Sequence, residues 1–299
     1  MKIGLGLGSG ISPPTTVQMA VQAEASGFDS FWVTEGAIGD AFALLGAVAV
    51  STSSINIGTS VVSVYVRSLP LLGMSAATVA TLAPGRFRLG IGPSHREQVE
   101  KEHGLTYDQP LSRMRDAVSA TRAASNNGTI LGHELGTVSL DHFKLQFADT
   151  VPPFPILFGA TGPRMVTMAG DLADGVIGVW RTPDDVAQLR RHLPAGAWFS
   201  LLLHCGIGSV SLSASEALAT ARERHGRFHR YRELFRSQSS LAGVTCENPD
   251  QLGEALDQYE AAGLDEVILL PVGNVEPGEA ELAERLTFAL QSAHALHKR

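Results

Sequence analysis

The stretch from Pro153 to Trp180, PFPILFGATGPRMVTMAGDLADGVIGVW, decides the fold. Residues 155–158 form a short apolar run that ends at a glycine, which is typical of a buried strand. Residues 165–172 place apolar side chains at three- and four-residue spacing, which predicts a helix. A second apolar run follows at residues 176–180. The order strand, turn, helix, strand predicts one βαβ unit.

The turn inside this unit has the composition of an anion site. Thr161 or Gly162 can cap the helix, and Pro163 suits its first turn because the missing N–H had no partner there. Backbone N–H groups at a glycine-rich helix N-terminus bind phosphate, and Arg164 adds a guanidinium beside them. The local pattern is equally compatible with a glycine turn that only connects two elements. The candidate phosphate site consists of Gly159, Ala160, Thr161, Gly162, Pro163 and Arg164.

The composition excludes several classes of function. The chain has 299 residues, of which 44% are hydrophobic and 18% charged, and its net charge is −7. Because it has no basic run, we expect no nucleic-acid partner and no anionic membrane partner. Cys205 and Cys246 are far apart and form no CxxC motif, so neither a disulfide framework nor a zinc site is predicted. The N-terminus reads as a strand and no apolar run reaches about 18 residues, so we expect a soluble, cytoplasmic protein.

Eight predicted strands alternate with helices along the whole chain. Strict alternation implies a parallel sheet, and eight units over this length favour an α/β fold of the (β/α)8 TIM-barrel type. A doubly wound open sheet is the alternative, but no GxGxxG motif opens the first unit. We expect one domain over residues 1–299, with rim insertions at about 126–149 and 205–245. The predicted strands are Ile3–Leu7, Phe28–Val33, Ile55–Val62, Phe87–Ile91, Pro155–Phe158, Val176–Trp180, Trp198–Leu203 and Glu266–Pro271.

Three further elements are predicted from local patterns. Residues 138–140 and 143–145, separated by two residues, indicate a small hairpin between barrel units. Residues 213–238 predict a long helical region with Arg and His on its polar face. Residues 279–297 predict a final amphipathic helix.

The C-terminal ends of the strands, where a barrel carries its reacting groups, are rich in glycine here. They have no paired carboxylates, no GxSxG or HExxH motif and no clustered metal ligands. His225 and His229 lie four residues apart and could face a metal, although a solvated basic helix face is the better interpretation. His204 ends the seventh strand, where a lone histidine is more often structural. A mouth with few reactive side chains suggests that a cofactor carries the reaction.

Four motifs lie in order along most of the chain. They are Trp32–Glu35 with Asp40-Ala41, Ile57–Arg67 with Pro70, Gly85–His95, and Gly159–Arg164 with Ala173–Gly175. Each motif alone is modest, but together and at this spacing they resemble the luciferase-like monooxygenase superfamily. Within it they resemble the F420-dependent reductase branch, which is similar to methylenetetrahydromethanopterin reductase. The resemblance implies a TIM barrel that binds the deazaflavin F420.

The resemblance also implies roles for matching positions. It places a non-prolyl cis peptide at Ser60–Val61, against the back of the deazaflavin ring; an ordinary trans strand is the alternative, since this position often has glycine. The F420 phosphate would lie at residues 159–164. The carboxylates of its tail could reach Arg181 or the arginine-rich segment 222–232.

Two side chains are candidates for proton transfer. His95, with Ser94, matches a Ser-His pair of some members of the branch, and it could donate to the cofactor or supply a proton to the substrate. Capping the helix that follows is the alternative for His95. Glu35 lies at the mouth and could protonate a substrate atom, with packing against Arg67 or Ser63 as the alternative.

The function implied is hydride transfer between C5 of the deazaflavin and a C=C, C=N or C=O bond of a small-molecule substrate. The protein would contribute alignment and a proton source. The nearest alternative is an FMN-dependent monooxygenase of the same superfamily, because both cofactors share ring and phosphate seats. A catalytically silent flavin-binding barrel and a cofactor-free lyase or isomerase are further alternatives. Residues 40–51 are apolar enough to permit the homodimer that family members often form.

Overall fold

The computed structural model describes residues 1–7, 11–35, 39–126, 128–131, 135–207, 213–238, 242–246 and 249–272. Eight of its strands are parallel and close into a barrel, which confirms the predicted (β/α)8 fold. The strands are β1 Lys2–Leu7, β2 Ser30–Val33, β3 Asn56–Thr59, β4 Val62–Ser63, β5 Phe87–Gly92, β6 Thr129–Leu131, β7 His142–Lys144, β8 Ile156–Gly159, β9 Gly175–Val179, β10 Trp198–Ile207, β11 Val244–Cys246 and β12 Glu266–Val272.

The barrel closes through β1, which pairs with both β2 and β12. Leu5 lies opposite Phe31 on one side and Leu269 on the other. The circuit continues through β3, β5, β8, β9 and β10 to β12, while β4 pairs with β5 and β11 extends the edge of β10. All eight barrel strands lie within residues 2–272, and the assignment of the whole chain to one domain stays a prediction.

Helices connect the strands on the outside of the barrel. Several begin where a short polar side chain accepts a hydrogen bond from the first turn, as Ser12, Asp40 and Ser68 do. No helix in the described ranges is both long and apolar enough to cross a bilayer. The helices are α1 Pro13–Ala25, α2 Ala41–Ser51, α3 Leu69–Leu82, α4 Arg96–Lys101, α5 Pro110–Asn126, α6 Pro163–Leu172, α7 Pro183–Arg190, α8 Ala214–Gly226, α9 His229–Ser237 and α10 Pro249–Ala261.

The predicted hairpin has the wrong first arm. The strand β7 pairs antiparallel with β6, with Ile130 opposite Phe143, and residues 138–140 are not a strand. Burial explains the choice: Ile130 is 1% exposed, whereas residues 138–140 stay partly exposed. Packing of Ile130 against the core therefore determines which segment pairs with β7, and the alternation of polar and apolar residues does not show this.

The predicted helical region at 213–238 is divided into two helices, α8 and α9. Phe228 leaves the helical conformation with φ −87° and ψ 130°, and its buried ring stacks on His95 at a centroid distance of 4.2 Å. The break therefore coincides with a tertiary contact. The helix predicted for residues 279–297 lies outside the described residues.

A buried polar cluster, which we call the base network, joins the beginnings of the strands inside the barrel. Glu266 is fully buried, and its carboxylate accepts hydrogen bonds from Ser30 and, at 2.7 Å, from Ser200. An ion pair of 3.6 Å adds a guanidinium to the same carboxylate. The network satisfies a carboxylate that would be costly to bury alone. Its members are Ser30, Trp32, Arg88, Trp198, Ser200 and Glu266.

Candidate active site at the barrel mouth

The predicted phosphate turn connects β8 to α6 at the C-terminal end of the barrel. Gly162 is the N-cap of α6 and Pro163 is its first residue, as the sequence predicts. The turn is held to the barrel because Ala160 N–H donates to the Ile177 carbonyl at 3.0 Å. The start of α6 thus lies at the C-terminal end of β8, and the dipole of a helix favours an anion at its N-terminus.

A guanidinium that the sequence did not single out lies on this turn. Arg230 of α9 donates from Nε to Thr161 Oγ1 at 3.2 Å. A Cβ built on Gly162 would lie only 2.4 Å from Arg230 Nη2, so the close approach depends on glycine at this position. Arg230 also lies 3.6 Å from Glu233 on its own helix and is about half exposed at the side chain, 53%.

Arg181 contacts the same turn. It follows β9, is 8% exposed, and donates to the Thr161 carbonyl. Burial lowers the pKa of Arg181, and the nearby charge of Arg230 lowers it further, although Asp185 opposes this. Arg181 Nε has no partner among the described residues. Arg164, by contrast, is exposed in the first turn of α6.

The peptide bond Ser60–Val61 is cis, which confirms that prediction. Thr34 Oγ1 donates to the Ser60 carbonyl at 3.2 Å and so fixes the backbone beside it. Val61 is partly exposed and lies against two glycines: a Cβ on Gly92 would be 2.6 Å from its side chain, and one on Gly159 3.1 Å. The two glycines therefore leave the room that Val61 occupies at the mouth.

Glu35 lies at the mouth but its carboxylate is already bound. Both oxygens contact the Arg67 guanidinium, at 2.5 and 2.6 Å, and one accepts the Ser63 N–H at 3.2 Å. Arg67 also binds Asp40 and lies over the Phe42 ring at 5.1 Å. Both alternatives given for Glu35, contact with Arg67 and with Ser63, are thus observed. Its role as a proton donor stays a prediction.

Ser94 and His95 follow β5 with unusual backbone geometry. Ser94 has φ 58°, the left-handed region that non-glycine residues seldom adopt, and its hydroxyl bonds to Gln98 Oε1 at 3.2 Å. The side chain of His95 does not cap α4. It stacks instead on Phe228 at 4.2 Å and meets the Tyr231 ring at 4.6 Å with the planes tilted by 60°, and burial lowers its pKa to about 4. His95 is therefore neutral at pH 7.

The helix α9 lies across the mouth and contacts several strand ends. His229 N–H donates to Glu97 Oε1 at 2.8 Å, which ties the start of α9 to α4. His225 packs its ring against Trp180 at 5.3 Å, so the interpretation of a solvated helix face is wrong for this residue. His229 is exposed, and no group of three or more His, Cys, Asp or Glu within the described ranges could hold a metal ion.

His204 and Trp180 form a buried stacked pair next to the phosphate turn. Both are 1% exposed, and their ring centroids lie 3.8 Å apart with planes inclined by 14°. Trp180 has φ 52°, and its carbonyl accepts from Gln238 Nε2 at 2.6 Å. Burial lowers the pKa of His204 well below its usual value, and the neighbouring His225 adds to the effect.

The structure thus brings most of the predicted site residues to one edge of the barrel. Residues 159–163 and Arg181 form the turn with its guanidinium, and Ser60 and Val61 lie beside Gly92 and Gly159. Sequence reasoning did not single out Arg230 or Trp180. The abundance of arginine between residues 222 and 232 was a signal for the first, but only helix packing shows which arginine reaches the turn.

A family model described as luciferase-like monooxygenase matches residues 1–266. The chain belongs to this family. The match covers seven of the eight barrel strands and only the first residue of β12.

Three known proteins show how this chain compares within and around the family. A 5,10-methylenetetrahydromethanopterin reductase from Methanolobus tindarius is 30% identical over 181 residues, 58% of this chain and 53% of that protein. The chain therefore spans about half the length of this curated relative.

Two solved structures share the fold. An F420-dependent secondary alcohol dehydrogenase, in complex with an F420-acetone adduct, superposes with a TM-score of 0.76 at 16% identity over 98% of each chain. The oxygenating constituent of 3,6-diketocamphane monooxygenase from Pseudomonas putida, in complex with FMN, gives 0.69 at 15% identity, covering 99% of this chain and 98% of that one. At these identities the likeness shows the fold alone.

Proposed function

We propose that this protein is an F420-dependent oxidoreductase that reduces or oxidises a C=C, C=N or C=O bond of a small molecule. The observation that carries the proposal is the approach of two guanidinium groups, from Arg181 and Arg230, to the turn at Thr161. Two guanidinium groups balance the roughly two negative charges of a phosphate monoester, so this turn can bind the phosphate of either F420 or FMN. The choice of F420 over FMN is supported by the similarity to the methylenetetrahydromethanopterin reductase and to the F420-dependent alcohol dehydrogenase.

The residues present fit such a cofactor at both ends. The absence of a side chain at Gly162 lets the Arg230 guanidinium approach the turn, and the buried Nε of Arg181 has no protein partner in the described chain. Val61 presents a partly exposed apolar surface beside Gly92 and Gly159, as a flat ring requires. When bound, F420 supplies a two-electron hydride carrier.

The protein's own part is to bind and orient. The N–H groups at the start of α6, with Arg181 and Arg230, hold the anionic tail, and Val61 supports one ring face. Because the pKa of His95 is about 4, His95 acts at neutral pH as a hydrogen-bonding group and not as a cationic acid. Glu35 holds Arg67 in place, since its carboxylate is bound on both oxygens.

A cavity of about 360 Å³ next to the Glu35–Arg67 pair is our candidate for part of the substrate pocket. Its walls come from residues 64–69, from Leu105 and Arg113, and from Thr137 and Val138 of the first rim insertion. The volume lies at the lower end of the range for small-molecule sites. Rim segments vary with function, so the substrate identity should follow from these walls.

The direct test is to titrate the protein with F420 and with FMN separately and measure both dissociation constants by calorimetry. We expect F420 to bind more tightly. Binding of FMN alone would support the monooxygenase alternative, and binding of neither would overturn the proposal.

Two variants on one helix sharpen this test. Arg230→Ala should lower the affinity for F420 by about 10- to 100-fold, because a hydrogen bond to a charged group contributes about 1.5–3 kcal/mol. Arg236→Ala removes an exposed arginine from the same helix and should leave the affinity unchanged. Equal losses in both variants would show a general charge effect and not a contact at the turn. Arg164→Ala should weaken F420 more than it destabilises the fold.

We also propose that two copies of the chain pair through α2 and α3. Neither helix contains a charged residue. Their outer faces leave Val50 69%, Leu71 42% and Leu82 43% exposed, an apolar surface that a second copy would cover. Light scattering should give twice the chain mass, and Val50→Asp should return the monomer.

A further inference from the structure

We propose that His204 and Trp180 form a polar subsite at the barrel mouth that binds an uncharged oxygen atom of the substrate, of the carbonyl, amide or alcohol type. The inference rests on the proposed function, because it names the substrate chemistry of the same mouth.

The interior face of β10 can be followed residue by residue. Ser200 contacts Glu266 inside the barrel base, and Leu202 packs in the interior cluster that contains Trp32. Side chains two apart on a strand face the same way. His204 is therefore the next interior position, at the mouth end of the strand, where it lies opposite Leu270 of β12.

The polar atoms of this pair are not used by the fold. Five buried side-chain nitrogen or oxygen atoms lack a partner within the described ranges, and three of them are Trp180 Nε1 and the two ring nitrogens of His204. Buried polar groups are nearly always paired, because an unmade hydrogen bond costs free energy. Such a concentration on two stacked residues indicates that a ligand completes them.

The chemistry of the atoms defines the ligand. The indole of Trp180 can only donate, and a neutral imidazole offers one donor and one acceptor. Burial keeps His204 neutral, since its pKa is lowered well below the usual value. Trp180 Nε1 and the protonated nitrogen of His204 can both donate to one carbonyl, amide or alcohol oxygen. The second His204 nitrogen points away from the first and can only accept from a separate N–H or O–H of the ligand. An anionic group would instead be drawn to Arg181 and Arg230 at the turn.

The neighbours of the pair are suited to an uncharged ligand. His225 Nδ1 donates to the Ala221 carbonyl at 2.7 Å, which fixes its hydrogen on that nitrogen in the neutral ring. The edge of Phe235 meets the Trp180 ring at 5.4 Å. The pair thus lies among aromatic rings, where a hydrogen bond to a neutral oxygen is shielded from water.

The test uses the full-length protein and small oxygen-containing probes, 2-butanone, acetamide and 2-propanol. Their binding is followed through the Trp180 indole N–H signal in proton–nitrogen correlation spectra, assigned with Trp180→Phe. We expect a saturable shift of this signal with at least one probe. In His204→Phe, which keeps the stack but removes both nitrogens, binding should weaken about 3- to 10-fold, the loss expected for one neutral hydrogen bond.

His192→Phe is the matched control, because His192 is exposed and follows α7. It should bind the probes as the wild type does. No shift with any probe, or equal probe affinity in His204→Phe and the wild type, would overturn the subsite.

Titration with F420 separates the two proposals. His204→Phe should bind F420 as tightly as the wild type, because the turn at Thr161 is intact. If the protein binds a probe but does not bind F420, the proposed F420-dependent function is refuted and the subsite is supported. F420 binding without any effect of the probes on Trp180 would do the reverse.

Discussion

At the base of the barrel the indole N–H groups of Trp32 and Trp198 both donate to the base network, whereas at the mouth the indole N–H of Trp180 has no partner in the described chain. Glu266 is buried with hydrogen bonds on both carboxylate oxygens, while His204, equally buried, has none on either ring nitrogen. Buried polar side chains are thus hydrogen-bonded at one end of the barrel and lack protein partners in the described chain at the other. At the base the buried polar groups are paired within the protein, which stabilises the fold, whereas the mouth is the end at which (β/α)8 barrels carry their reacting groups.

Backbone conformation follows the same division. Ser94 and Trp180, at the mouth, are left-handed non-glycine residues with φ of 58° and 52°. Trp180 directly follows β9, and Ser94 lies two residues after the end of β5. Such conformations cost about 1–3 kcal/mol each and persist only where the surroundings hold them. At Trp180 the hydrogen bond from Gln238 provides part of that support.

The largest effect is expected at the base. Glu266→Ala leaves Arg88 and two hydroxyl groups without their acceptor and should lower the free energy of unfolding by about 3–5 kcal/mol, as when one partner of a buried pair is removed. Urea unfolding measures this loss. Glu254→Ala, which changes an exposed glutamate on α10, is the control and should have little effect. If the two variants are equally stable, the base network does not hold the barrel together.

Two glycines on one strand compare the barrel wall with the mouth. A Cβ on Gly90 would lie 2.0 Å from the Thr59 carbonyl oxygen, so Gly90→Ala should cost about 1–3 kcal/mol of folding free energy. A Cβ on Gly92 meets the Val61 side chain at 2.6 Å. Gly92→Ala should therefore lower the free energy of unfolding by less than Gly90→Ala does. Its main effect should be a lower affinity for F420, because the added methyl group shifts Val61.

Thermal unfolding and F420 titration of both variants measure the two effects. A Gly92→Ala protein that loses as much stability as Gly90→Ala but binds F420 normally would contradict the role given to Val61. It would show that the mouth end of β5 is packed for stability, as the wall is.

The smallest effect concerns pH. Burial lowers the pKa of His95 from 6.5 to about 4, so the unfolded chain takes up a proton in this range that the folded chain does not. Stability should therefore fall as the pH drops from about 6.5 towards 4. His95→Phe keeps the stack on Phe228 and should make that fall shallower, while His204 and His225 still contribute.

Melting temperatures at pH 7.5 and 5.0 provide the measurement. The exposed His192→Phe should keep the slope of the wild type. An unchanged slope in His95→Phe would mean that His95 is protonated in the folded protein at pH 5.

The sequence predicted the barrel because each strand is an apolar run bounded by turn residues, as at residues 155–158 and 198–203. It also predicted the start of α6 at Gly162 and Pro163, while phosphate binding at this turn stays a prediction. These features depend on neighbours in the chain. Periodicity therefore detects them.

What the sequence could not predict depends on contacts between distant residues. α8 ends at Gly226, a local signal for a helix end, but the contact of the Phe228 ring with His95 beside this break is not visible in the sequence. Ile130 takes the place of residues 138–140 in the hairpin because it packs against the core. Arg230 is one of several arginines in residues 222–232, and only the packing of α9 shows that it is the one that contacts Thr161.

Arg181 and Arg230 approach the same turn closely enough for the charge of one to oppose the charge of the other. An anion that binds between the two guanidinium groups should therefore stabilise the folded protein. A multivalent anion such as inorganic phosphate should raise the melting temperature above the value found in chloride at equal ionic strength. A stability measured in one buffer will not transfer to another.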